Sequence, residues 1–525
     1  MTSALLRLGP IATLAALLAP PIAHAQAAAA ATTAAPSPQS AVNRADLALA
    51  YLAFDQALTH APPAADRIGP LSQAFDQATL AFFAGRNADA VRAIHGVTRV
   101  LQAGDGASGP SVHALRMTVE PHVLRRGAGT PPVLRAVLLY GLADSGSVPR
   151  AITFGARLVS DGGRVLATVE VPVPVDAVPG TVIEVPLPAA VAGAPKGHYA
   201  VMPFMVPPGG NAPRTGPGAS SGSLVPASDW FVADEDLDAK RDDLARKAIP
   251  LDTIVPLELA DAITTFKARV RLLTTRANPL NTAQWRAHPV ALAPQLDLEF
   301  QQLMTGVDPY ANRAGKLWRV IRTPARNIPL VTYVPVAVAR DRTPVPLLIA
   351  IHGVGGDENM FPDALGAGRI LALADQHGFV VASPNGDQFT TPADFDRLVE
   401  QTAAQVPIDK RRIWIVGHSR GAGQALALAS ARRDAIAGVV CIAGFGGVSP
   451  DRPIAPTLVV LGELDPLAQP ARVAPRAEQA KAAGLSVDVQ VLPQLGHTTV
   501  VAVALPEAVR WLLAHTLPPV TPERR

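Results

Sequence analysis

The pentapeptide Gly417-His418-Ser419-Arg420-Gly421 constrains this chain more than any other stretch. It directly follows the apolar run Ile413–Val416 and opens the helix-forming stretch Gly421–Arg432. A strand that turns into a helix within so few residues brings the two backbones close together. A Cβ at Gly417 or Gly421 would collide there, so glycine flanks the serine. Ser419 is predicted on a strained strand-to-helix turn that lifts its hydroxyl above the edge of a sheet. That is how a nucleophile is presented. The same pattern in an inactive relic of the fold is the competing reading.

The surroundings of the turn agree with this. After Trp318, Leu330–Val336, Val345–Ile351, Phe379–Ser383, Ile413–Val416, Ile436–Ala443, Thr457–Gly462 and Val487–Leu492 read as strands. Several are continuous apolar runs, the mark of parallel strands covered on both faces. Helical patterns at Asp394–Gln405, Gly421–Arg432, Val473–Ala483 and Val500–Ala514 lie between or after them. The expected fold class is α/β, a doubly wound sheet over residues 318–517.

A serine hydroxyl needs a base to take its proton. His497 follows the last strand on a loop at the carboxyl edge of the sheet, whereas His418 should point elsewhere and His515 falls near the end of the last helix. The imidazole in turn needs a carboxylate to hold its tautomer. Asp465 lies just past Thr457–Gly462, with Glu463 as its local competitor. The order Ser419, Asp465, His497 is that expected of a strand-to-helix nucleophile. An oxyanion needs two backbone N–H donors. Arg420 is expected to supply one. The loop His352-Gly353-Val354-Gly355-Gly356 supplies the other, Val354 before Gly353. These residues imply two-step acyl transfer.

The glycine loop His352–Gly356, then Phe379–Gly386, then Asp409-Lys410 leading into Arg412–Gly423, resembles the α/β-hydrolase esterases of bacteria related to polyhydroxybutyrate depolymerases and feruloyl esterases. The resemblance spans 318–517 and implies a serine carboxylic-ester hydrolase with Ser419, Asp465 and His497 as its triad. It implies a small-molecule or polymeric ester as substrate. The segment just after Pro384 carries one aromatic, Phe389, where such esterases often have several, and no polymer-binding domain is recognisable, so the mechanism is carried over and the substrate is not. A module of immunoglobulin type ahead of such a hydrolase is also similar to some predicted exported peptidase-esterases.

The rest of the chain divides by pattern. Residues 1–25 read as a secretory signal: Arg7, the apolar stretch Ile11–Leu18, then Ala23-His24-Ala25 before Gln26. Export to the periplasm or beyond the cell is expected, with no integral membrane segment after cleavage. Residues 26–40 form a disordered leader. Residues 41–104 read as helices in which Ala-Phe-Asp-Gln occurs twice, at Ala53–Gln56 and Ala74–Gln77; a helical hairpin explains this more simply than a repeat array. Alternating strands over 111–206 predict a β-sandwich of immunoglobulin-like type. Residues 220–317 read as helices that either bridge the sandwich to the catalytic region or cover its site.

Other chemistries find little footing. The net charge of +3 and the lack of basic runs argue against nucleic acid. No H-E-x-x-H motif, cysteine pair or phosphate loop is present, so neither metal nor cofactor is expected. Asp357-Glu358-Asn359 is predicted to cap and charge the next helix rather than ligate metal. The lone Cys441 lies in an apolar strand and should be inert. Two alternatives use the same residues differently: a serine peptidase with the same triad, and an envelope binding protein whose hydrolysis is secondary or lost.

Overall fold

The continuous apolar runs have a simple geometric cause. Successive strand residues point to opposite faces, so a strand covered on both sides must be apolar at every position. All seven residues of Val345–Ile351 are buried. Leu347, Ile349 and Ile351 join one apolar cluster, and Leu348 and Ala350 join another on the opposite face. The computed structural model describes residues 42–103, 111–127, 129, 131–142, 152–174, 176–206, 228–276, 278, 281–449 and 451–519. The expected signal at 1–25 and leader at 26–40 lie outside these. No helix among the described residues is long and apolar enough to cross a membrane.

Eight strands in the sandwich region come first in the chain: β1 (Leu115–Glu120), β2 (Val123–Arg125), β3 (Val133–Leu138), β4 (Ile152–Ser160), β5 (Val165–Val173), β6 (Val182–Pro186), β7 (Gly197–Met205) and β8 (Ser228–Ala233). Eight more build the carboxyl-terminal sheet: β9 (Gly315–Arg322), β10 (Asn327–Val334), β11 (Val345–Ile351), β12 (Val380–Pro384), β13 (Ile408–His418), β14 (Gly438–Ile442), β15 (Thr457–Gly462) and β16 (Val487–Leu492). Their order is β16-β15-β14-β13-β11-β12-β10-β9. The six strands from β16 to β12 are parallel, and β10 and β9 close the edge antiparallel. The sheet is thus mixed, and its first strand was not expected from sequence. β9 reads Gly-Lys-Leu-Trp-Arg-Val-Ile-Arg, and its three basic residues break the apolar run. Arg319 is nonetheless buried, donating to the Thr402 hydroxyl at 3.0 Å.

Helices Pro392–Gln405, Arg420–Ala431 and Pro470–Ala482 cover one face of this sheet, while Arg369–His377 and Thr499–Leu513 cover the other. The carboxyl-terminal region therefore has the α/β hydrolase fold. Cys441 lies within β14, where burial pushes its thiol up to about 12.

In the sandwich region two sheets, β1-β3-β6 and β2-β8-β7-β4-β5, share one apolar cluster. Helices α1 (Arg44–His60), α2 (Ala65–Phe83) and α3 (Asn87–Ala103) add Phe54, Phe75, Val91 and Ile94 to it. The sheets extend beyond the expected limit of 206, because β8 pairs with both β7 and β2, the latter in parallel. That parallel pair departs from wholly antiparallel sheets, and strand alternation alone does not establish the immunoglobulin type. At the sheet's rim His198 holds Asp229 at 2.8 Å on one ring nitrogen and Asp161 on the other.

The helices Leu237–Lys247, Ala260–Val270 and Pro289–Met304 have a core of their own, which reaches Phe231 of β8 on one side and Leu317 of β9 on the other. A buried Arg269–Glu299 pair at 3.1 Å ties two of them together.

Candidate active site

Ser419 has φ 55° and ψ −118°, a conformation rare for a residue with a side chain. Its amide donates to the Ile442 carbonyl at 2.9 Å, so the next strand holds the turn. The flanking glycines have the predicted cause. A Cβ on Gly417 would lie 2.2 Å from the Gly421 carbonyl oxygen, and one on Gly421 would lie 2.2 Å from that of Ile351. The Ser419 side chain meets His497 Nε2 at 2.9 Å. His497 Nδ1 faces both Asp465 oxygens, at 3.0 and 2.9 Å. A carboxylate on Nδ1 sets the proton there, leaving Nε2 to accept from the serine hydroxyl.

Asp465 is itself pre-aimed, because Leu467 and Ala468 both donate to its Oδ1 at 2.8 Å. Glu463, the competitor, accepts instead from the Gln494 amide at 2.8 Å and does not reach the imidazole. His515 is turned away, its ring on the Trp511 carbonyl at 2.8 Å. Gly353, Val354, Gly355 and Gly356 line the same cavity as Ser419 and His497. Gly353 lies so near the turn that a Cβ there would be 3.1 Å from that of Ser419. Buried His352 fixes this loop: it contacts the Gly353 carbonyl through Nδ1 at 2.7 Å, and its Nε2 accepts from the Gly386 amide at 2.7 Å. Arg420 opens the following helix, so its amide sits at the positive end of the helix dipole. Its guanidinium pairs with Asp387.

Two residues that hold His497 were not foreseen. His418 turns inward, and its Nε2 donates to the His497 carbonyl at 3.0 Å. Burial beside His497 lowers its pKa to about 3, so it is neutral. From α2, Asp76 Oδ1 accepts the His497 amide at 3.1 Å. The peptide groups on either side of His497 are thus clamped. The twice-occurring Ala-Phe-Asp-Gln explains how: Phe54 and Phe75 pack with ring centroids 4.3 Å apart, and the aspartate after each reaches a catalytic-region loop. Asp76 takes His497, and Asp55 accepts from the Gly366 amide at 3.1 Å.

The segment Asp357-Glu358-Asn359 differs from expectation. The short turn that follows, Met360–Ala364, receives no side-chain cap. Asp357 instead accepts from the Asn359 amide at 2.9 Å and from the Thr282 hydroxyl, with Arg44 of α1 3.6 Å away. Glu358 accepts from Trp318 at 2.8 Å and Asn385 at 3.1 Å. Asp357 thus fastens Thr282 and α1 to the glycine loop, while Glu358 ties that loop to β9 and to the end of β12.

Burial raises Asp55 to about 8 and Asp76 to about 7. A carboxyl whose folded pKa lies above its unfolded value binds extra proton in the folded state between the two. Stability therefore falls as pH rises from about 4 to about 8 and levels off above. Asp55→Asn retains the acceptor for Gly366 but removes the charge. The melting temperature of the variant relative to wild type should rise between pH 5 and pH 8.5; a difference that stays constant would show Asp55 does not titrate in this range.

Residues 346–455 match the family model described as alpha/beta hydrolase fold. No curated protein sequence matches the chain. Among solved structures, an S-formylglutathione hydrolase from Staphylococcus aureus is 17% identical, covering 39% of this chain and 99% of that one at a TM-score of 0.33. The feruloyl esterase module of Clostridium thermocellum is 15% identical, with coverage of 38% and 88% and a TM-score of 0.34. A thermostable esterase is 13% identical and covers 77% of this chain and 99% of its own, at 0.34.

Proposed function

We propose that this protein is an exported serine hydrolase of carboxylic esters. The observation that carries the reading is the unbroken chain Ser419 Oγ, His497 Nε2, His497 Nδ1, Asp465. Ser419 attacks the ester carbonyl while His497 takes its proton and Asp465 holds the ring. The tetrahedral anion is received by the amides of Val354 and Arg420. As the anion collapses, His497 gives the proton to the departing alcohol, leaving an acyl-serine. Water, deprotonated by His497, then attacks the acyl-serine, and the carboxylic acid leaves as Ser419 recovers its proton. Each donor removed from such an oxyanion site typically costs about 3–4 kcal/mol of transition-state stabilisation.

One preparation tests both parts of the proposal. Protein recovered from the periplasm or medium should begin at Gln26 and should take a fluorophosphonate label on the peptide containing Ser419. Folded protein that hydrolyses short p-nitrophenyl esters without such a label would overturn the nucleophile. Labelled protein still carrying residues 1–25 would overturn export with cleavage.

A further inference from the structure

The cavity that exposes Ser419 and His497 is lined as much by residues outside the catalytic region as by residues within it. Its volume is about 1020 Å³ including its mouth. The far wall is made by α1 and α2 at helical spacing: Ala48 and Leu52 on the first, Thr79 and Phe82 on the second. Such spacing puts each pair on one helix face, and that face lines the cavity. Trp285 and Met360 add further apolar lining. Phe82 also touches the floor, since a Cβ on Gly355 would lie 2.5 Å from its ring. The wall and the glycine loop are therefore in direct contact.

The charges bordering this space are already matched. Arg44 donates to the Gly356 carbonyl at 2.9 Å and lies beside Asp357, while Arg286 pairs with Asp363 at 3.2 Å. A carboxylate or phosphate on the substrate would have to break one of these pairs to find a cation. An uncharged apolar group needs no such exchange, and it gains by leaving water. The wall is also held firmly in place: Asp55, Ser72 and Asp76 hydrogen-bond from α1 and α2 to Gly366, Thr499 and His497.

We infer that α1 and α2 form the roof of the substrate chamber, and that the ester carries an apolar arm, aliphatic or aromatic, lodged beneath this roof against Leu52 and Phe82. This rests on the ester-hydrolase reading above. The arm is either the acyl group or the alcohol, and two substrate series separate these sources. One is p-nitrophenyl acetate, butyrate and octanoate; the other is ethyl, butyl and octyl acetate followed by acid release. Each buried methylene contributes about four-fold in binding. In one series kcat/KM should rise at least about 30-fold from shortest to longest, and in the other it should stay nearly flat.

Ala48→Phe and Thr79→Phe fill the chamber from two different helices. In either variant the long-to-short ratio of kcat/KM should drop at least ten-fold. A wild-type enzyme without length preference in both series overturns the inference, as does an unchanged ratio in a variant with a normal melting curve. Loss of the ester-hydrolase reading looks different: no ester of any length is turned over, and Ser419 takes no fluorophosphonate.

Discussion

Replacing Ser419 by alanine should lower kcat for a short p-nitrophenyl ester by about 10⁶-fold. The size follows from what the hydroxyl does. It forms the bond to the acyl carbon, and it is the atom whose proton His497 Nε2 is placed to receive at 2.9 Å. Without it the reaction must run by direct attack of water, aided only by the oxyanion donors and by binding. A loss of that size is about 8 kcal/mol of transition-state stabilisation. KM should move little, because the cavity lining is untouched. The positive φ at position 419 is equally awkward for alanine and serine, so the melting temperature should stay close to wild type. A purified variant retaining even a hundredth of wild-type kcat would show that Ser419 is not the nucleophile.

What could be read from the sequence was what neighbouring residues impose on one another. Gly417 and Gly421 are required by collisions between backbone atoms only a few residues apart in the chain or on the adjoining strand, and the pattern is visible in five letters. Strands buried on both faces announce themselves as apolar runs. Asp465 and His497 follow from their places after β15 and β16. β9 escaped notice because it lies at the sheet edge, where Lys316 and Arg322 reach outward and break the run.

The grip on His497 was hidden for a different reason. Asp76 contacts a residue 421 positions away, and no local pattern points across such a distance. A signal existed in the repeated Ala-Phe-Asp-Gln, yet its meaning needed the other partner. Phe54 and Phe75 pack α1 against α2; Asp55 and Asp76 fasten the two helices to the loops that carry Gly366 and His497. His418 illustrates the same point more sharply. A histidine beside Ser419 invites a catalytic role or dismissal, and the structure gives it neither: it is a neutral donor that fixes the carbonyl of His497.

The distinction between reacting and holding groups gives Asp465→Asn the second large expected effect, a loss of about 10⁴-fold in kcat at neutral pH. An asparagine at this position can keep its oxygen where the Leu467 and Ala468 amides donate, so the turn should survive. Its other atom is then an NH₂ directed at His497 Nδ1. That donor can be satisfied only if Nδ1 accepts, which moves the imidazole proton to Nε2. The nitrogen facing Ser419 would then carry a proton instead of taking one. Charge matters as well, since the carboxylate stabilises the imidazolium that forms while the serine attacks. Glu463→Gln, whose oxygen can still accept from Gln494, removes a charge nearby without touching the imidazole and should leave kcat within a few-fold. Measuring both variants across pH separates the two carboxylates. Comparable losses in the two would mean that Asp465 is not the residue that orients His497.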